Sequence, residues 1–225
     1  MEGTRLTLAR KMRGFSKKEL AELVKVTPKT IADYENDITN PSNAIEQRLM
    51  RALRFPEAFF NLHTTEPMPE EAISFRARTK LKRSQKDIAT AEATLATELS
   101  HWCNAKFKLP KTNVPTIEGV DPVLAAEMLR KEWKMGDGAI PNLLALLESH
   151  GIRIFFAGEI GNEVDAFSYW EPKTQCPYVF LTTSKSGERR RMDAAHELGH
   201  LVMHRNLDMG PSATKEIEAE ANRFA

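Results

Sequence analysis

The sequence predicts a mostly helical α+β chain, and three observations predict it. Short helical periods with tight connections fill the first 65 residues. No Gly or Pro then interrupts a helical pattern from Thr79 to Phe107. Further on, three apolar runs of strand length precede a helix that carries His-Glu-x-x-His. The expected architecture is therefore a five-helix N-terminal domain of helix-turn-helix type, a long connector helix, and a C-terminal domain with a small sheet and the His-Glu-x-x-His helix. The corresponding boundaries are 1–65, 66–119 and 120–225.

The front reads helix by helix. RLTLARKMR (5–13) puts Leu6, Ala9 and Met12 at helical spacing, and Gly14 ends the run. Ser16 with Glu19 reads as a capping box, and Leu20, Ala21 and Leu23 supply the apolar face behind it. Thr27 followed by Pro28 marks the start of a third helix, PKTIADYE, which turns Ile31 and Tyr34 inward. Asn40-Pro41-Ser42 breaks the chain before a fourth helix, 42–53, with Ile45, Leu49 and Leu53 inward. FPEAFF makes a short fifth helical turn.

Five short helices in about 60 residues suit helix-turn-helix geometry. The stretch LARKMRGFSKKELAELVKVTPKTIADYENDITNPS resembles the XRE (Cro/repressor-like) family, over about residues 4–60. That resemblance implies binding of double-stranded DNA, with the N-terminal part of the third helix reading bases. By position the base-reading residues are Thr27, Lys29 and Thr30, with Asp33 beside them, while Lys17 and Lys18 face phosphate. Many relatives carry Gln after the capping Ser, where this chain has Lys17. Lysine contacts phosphate as a point charge and does not make the two-pronged base contact of Gln, Asn or Arg. Asp33, Glu35 and Asp37 also make the far end of the third helix acidic. Modest affinity per domain and reliance on a homodimer are the expected consequences.

In the connector, EPMPEEAISFRARTK carries two prolines and an apolar patch from Ile73 to Phe75. The long helix after it offers Leu81, Ile88, Leu95, Leu99, Trp102 and Cys103 as a stripe. The plain expectation is a packing helix. The sharper one is a dimerisation helix, because a two-fold regulator meets a palindromic operator. The basic run RTKLKR reads as a solvated first turn.

The back opens with two helices, DPVLAAEMLRKEW and IPNLLALLESHG, with Pro141 in the first turn of the second. The strand-length runs are IRIFFAG (152–158), VDAFSYW (164–170) and YVFLTT (178–183). In RMDAAHELGHLVMH, His196 and His200 lie four apart on one helix face, about 6 Å apart in rise, so both reach one metal ion. Glu197 points to the side where a water would be activated and acts as its base. A third ligand is required. His204 lies about 12 Å along the axis from His196, too far for all three to share one ion, and reads as an outer partner. The final segment KEIEAEANRFA offers Glu216, Glu218 and Glu220. Glu218 and Asn222 share a face, so a ligand there has an orienting side chain one turn on. Glu220 projects about 200° away from Glu218.

The pairing of AAHELGHLVMH with EIEAEANRFA resembles the ImmA/IrrE group of gluzincin-like metallopeptidases, and VDAFSYW and SGERRRMDAAHELGH fit it as well. That resemblance implies a zincin-like fold, zinc at His196, His200 and Glu218, and Glu197 as general base. It further implies a protein partner, because relatives cleave repressor-like or antitoxin-like proteins, regulate transcription, or pair with a toxin. Three readings compete. One is a regulator whose domain cuts a partner or itself. The second is an antitoxin or sensor that binds a partner or ligand without cutting. The third is a structural zinc, which has no use for Glu197. In the first, VDAFSYW offers an edge for an extended substrate, and Tyr169, His204 and Arg191 have the chemistry of an oxyanion donor.

Composition narrows the class. The formal net charge of +1 sums an asymmetric chain, with 11 Lys+Arg against 8 Asp+Glu in residues 1–65 and 12 against 16 in residues 120–225. Cys103 reads as a buried helix residue and Cys176 as an edge residue, too few for a disulfide framework. No apolar run is long enough to span a membrane, and MEGTRLTLARKMRG has no signal-peptide core, so a cytoplasmic protein with no membrane partner is expected. The last helical pattern has no C-cap Gly, so further chain is expected beyond Ala225.

Overall fold

The structure is a computed structural model and describes residues 1–63, 82–157, 166–205 and 214–225. The predicted class holds: the described residues form a mostly helical α+β chain with a helical N-terminal region and a small three-stranded sheet among C-terminal helices. Two compact units divide it, one built on residues 1–63 with 82–98 and the other on 99–225. The patch from Ile73 to Phe75, Leu81 and most of RTKLKR lie outside the described residues, as do Gly158, Val164 and Asp165.

In the first unit, α1 (Gly3–Met12), α2 (Lys17–Val24), α3 (Pro28–Glu35), α4 (Asn43–Leu53) and α5 (Glu57–Phe60) follow in order. Both arms of the capping box form: the Glu19 amide donates to Ser16 Oγ (3.1 Å), and the Ser16 amide to Glu19 Oε2 (2.7 Å). Lys25 turns into the left-handed region to end α2, and Thr27 caps α3 through the Thr30 amide. The core gathers Leu6, Leu20, Val24, Ile31, Leu49, Leu53 and Phe60, each sealed from solvent. Leu23 is a correction, since it is 55% exposed and Val24 takes the inward position expected of it. Gly3 is required by packing, because a Cβ there would stand 2.5 Å from the carbonyl oxygens of Tyr34 and Glu35.

The connector helix α6 spans Arg83–Lys106, and its residues 83–98 belong to the first unit. The predicted stripe is not its buried face. Leu99 and Trp102 are more than half exposed and Cys103 is half-buried, whereas Ala89, Thr90, Ala93, Thr94, Ala96 and Thr97 are buried. Small side chains allow close approach. Threonine hydroxyls satisfy themselves on the preceding turn, as Thr90 does on the Lys86 carbonyl (2.8 Å) and Thr94 on that of Thr90 (2.8 Å).

The second unit contains α7 (Pro122–Glu132), α8 (Leu143–Ser149), β1 (Arg153–Ala157), β2 (Ala166–Trp170), β3 (Pro177–Thr182), α9 (Gly187–Met203) and α10 (Thr214–Phe224). Asn142 caps α8 through the Ala145 amide, which leaves Pro141 ahead of the helix and not in its first turn. The sheet order is β1-β3-β2, with β1 parallel and β2 antiparallel to β3. β3 is buried along its whole length. Its Val179 and Leu181 join Ala194, Leu198 and Val202 of α9 in the core, while Tyr178 and Phe180 stack on Tyr169 and Phe167 of β2 on the opposite face. Cys176 is buried against the Gly151 carbonyl, a correction to its expected edge position. Gly199 lets α10 close on α9, since a Cβ there would meet the Phe224 ring at 3.0 Å.

Candidate metal centre and DNA-facing surface

The helix α9 places His196 and His200 one turn apart, and α10 brings Glu218 against both. Nε2 of His196 and Nε2 of His200 are 3.0 Å apart. Glu218 Oε2 lies 3.3 Å from the first, and Oε1 lies 3.4 Å from the second. One ligand atom from each of the three residues falls within 4.8 Å of the others, the spacing of a shared metal ion. The His200 side chain is 1% exposed, and those of His196 and Glu218 are 17% exposed. Glu218 Oε1 is buried with no hydrogen-bond partner among the described residues. A buried carboxylate oxygen without a donor is costly, and a cation beside two imidazole nitrogens answers that cost. The donor set, two imidazoles and one carboxylate, suits zinc with a position left open. Burial alone would lower the His196 pKa. The Glu218 hydrogen bond, the charges of Glu197 and Glu218 and an Asn222 hydrogen bond outweigh burial and raise it.

Glu197 is 3% exposed and points from α9 toward β2. Alternation along β2 sends Phe167 and Tyr169 to one face and Ser168 to the other, opposite Val179 and toward α9. Ser168 Oγ lies 2.5 Å from Glu197 Oε2. The hydroxyl thus donates to a carboxylate one residue along from a candidate ligand.

The comparisons with known proteins agree with both ends of the chain. Residues 6–60 match a helix-turn-helix family model, and residues 147–225 match the model of the IrrE N-terminal-like domain. The chain joins an XRE-type helix-turn-helix domain to an IrrE N-terminal-like peptidase domain. No curated protein and no solved structure matches it. The family of the IrrE-like domain is one of metallopeptidases, and the His196–His200–Glu218 cluster is its candidate metal site here.

The remaining residues singled out in the sequence fall as follows. Asn222 Nδ2 donates to the Glu218 backbone carbonyl one turn back (2.8 Å), and its side chain also reaches His196, so it touches two candidate ligand residues. His204 is buried behind His200, Nδ1 to Nδ1 at 2.9 Å, and its Nε2 lies 3.0 Å from Glu220 Oε2. Tyr169 is stacked on Tyr178 on the sheet face away from α9, so it is no oxyanion donor. Arg191 donates to the Ile140 carbonyl. Sequence reasoning missed Ser168 and the role of Glu220. A lone hydroxyl in the middle of an apolar strand was a usable signal for Ser168. Nothing local marked Glu220.

On the helix-turn-helix domain, Lys18 and Lys29 are exposed. Thr27 and Thr30 hydroxyls bond each other at 2.8 Å while Thr27 Oγ1 also caps α3. Lys17 reaches Glu35 Oε2 at 3.4 Å. Glu35 is buried and held by Arg10 at 2.5 Å and 3.1 Å, and Asp37 accepts from the Gly3 amide at 2.8 Å. Two of the three acids at the far end of the third helix are therefore engaged in the fold.

Proposed function

We propose that this chain is a DNA-binding transcriptional regulator whose IrrE-like domain is a zinc peptidase acting on a protein partner, in stress, phage or toxin-antitoxin regulation. His196, His200 and Glu218 hold the zinc, and Glu197 is the general base. The observation that carries this reading is the convergence of three ligand atoms beside a buried carboxylate that Ser168 orients.

Zinc, when bound, supplies a Lewis acid that polarises the scissile carbonyl and acidifies the attacking water. Glu197 takes the proton from that water as its oxygen bonds to the carbonyl carbon. The protonated Glu197 then delivers the proton to the amide nitrogen as the C–N bond breaks. Ser168 holds the Glu197 carboxylate in place throughout. Asn222 orients His196, and His204 orients His200 from behind.

At the other end, Thr27, Lys29 and Thr30 face bases, and Lys17 and Lys18 face phosphates. A homodimer on a palindromic operator in the cytoplasm fits this arrangement. Among the described residues no helix is long and apolar enough to cross a membrane. The partner is a repressor-like protein or a toxin.

Glu197→Gln tests the reading. It keeps the ligands and removes the base. Loss of both partner cleavage and regulation supports the peptidase. Regulation equal to wild type favours an antitoxin or sensing repressor that binds its partner without cutting it.

A further inference from the structure

The far side of the His200 ring is held by His204 and, through it, by Glu220. His204, at the C-terminal end of α9, is 4% exposed. Its Nδ1 lies 2.9 Å from Nδ1 of His200, and its Nε2 lies 3.0 Å from Glu220 Oε2. Glu220 stands two residues beyond Glu218 on α10. Glu218 therefore meets the front of His200 directly, and Glu220 meets its back through His204.

With Glu220 ionised and His204 neutral, the hydrogens follow in turn. An ionised carboxylate only accepts, so Nε2 of His204 carries a hydrogen. A neutral imidazole has one N–H, which leaves Nδ1 of His204 as an acceptor. Nδ1 of His200 must then donate to it. Nε2 of His200 is left with a bare lone pair, and that atom is the one 3.0 Å from His196 Nε2 and 3.4 Å from Glu218 Oε1. The opposite arrangement, with His204 donating from both nitrogens, would put the His200 hydrogen on Nε2 and close that atom to any metal.

We propose that Glu220 is a positioning residue: acting through His204, it locks His200 in the Nδ1–H tautomer and so presents Nε2 to the metal. The purpose of the lock rests on the zinc reading above, but the tautomer itself does not. Carboxylate partners that orient metal-binding imidazoles strengthen the site, and losing them typically costs about 10- to 100-fold in affinity.

The test uses the full chain with ¹⁵N-labelled histidine. In metal-free wild type at neutral pH, His200 should show a protonated Nδ1 and a bare Nε2. Glu220→Ala should mix the two tautomers, whereas Glu220→Gln should restore the lock, because its amide oxygen accepts the same His204 hydrogen. Competition of zinc against a chromophoric chelator should show about 10- to 100-fold weaker binding for Glu220→Ala and His204→Phe. Glu220→Gln should stay within a few-fold of wild type. The Glu220 side chain is 48% exposed, so its variants should melt with wild type. A wild-type His200 protonated on Nε2, or a Glu220→Ala chain with unchanged tautomer and zinc affinity, overturns the proposal. A wild-type chain that takes up no zinc overturns the zinc reading instead, and the metal-free spectra then decide the lock alone.

Discussion

The hydroxyl of Ser168 lies 2.5 Å from the carboxylate of Glu197. Strand and helix meet there because β2 turns its middle residue toward α9 while its neighbours stack on the other face of the sheet. The donated hydrogen bond helps to fix the carboxylate, and a general base works only from a fixed position. Ser168→Ala should therefore slow partner cleavage by roughly 10-fold and leave zinc content unchanged. Its cost in stability should be about 1 kcal/mol, measured by denaturant unfolding. Equal cleavage by wild type and variant would remove Ser168 from the mechanism.

The proposed zinc site makes a prediction of its own. Removing one ligand by His196→Ala, His200→Ala or Glu218→Ala should take bound zinc well below one per chain, while Glu197→Gln retains it. An ion held by the folded site and not by the unfolded chain would stabilise the fold, so a strong chelator should lower the melting temperature of wild type. Chelator should leave His200→Ala almost unmoved. A wild-type melt indifferent to chelator contradicts the assignment.

DNA binding separates base contacts from phosphate contacts. Lys29→Ala with Thr30→Ala should erase the footprint on the operator, and an unchanged footprint sinks the base-reading role. Lys18→Ala should weaken all sequences alike and reduce the salt dependence by about one phosphate contact. Lys17→Ala should do less, because its ammonium is already shared with Glu35 at 3.4 Å.

Beneath that surface, the Arg10–Glu35 pair is buried at both ends, with side chains 7% and 3% exposed. Arg10→Met removes the two-pronged partner of Glu35 and leaves it the Lys17 ammonium at 3.4 Å, and the cost should be about 3 kcal/mol in chemical denaturation of the first unit. The double variant Arg10→Met with Glu35→Leu should recover most of that loss. Failure to recover it would mean that the pair is not the source of the cost.

Much of this protein was legible in its residues, for local reasons. Ser16 with Glu19 and Thr27 with Pro28 act within one helical turn, so sequence spacing alone places those caps. His196 and His200 share a face because four residues make about one turn. What resisted reading depends on contacts distant in sequence. The buried face of α6 is alanine and threonine, and a count of large apolar residues points elsewhere. Glu35 looked like a repulsive surface acid until Arg10, 25 residues away, was seen to hold it. Glu220 looked redundant on α10 because its partner is on α9. Pro141 misled because Asn142, next to it, is the residue that caps α8.

The most direct test of the central claim is metal content by mass spectrometry on the purified chain, wild type beside His200→Ala and Glu197→Gln. The account predicts one zinc per wild-type chain, one in Glu197→Gln and almost none in His200→Ala. Wild type without zinc, or His200→Ala with as much as wild type, would contradict it.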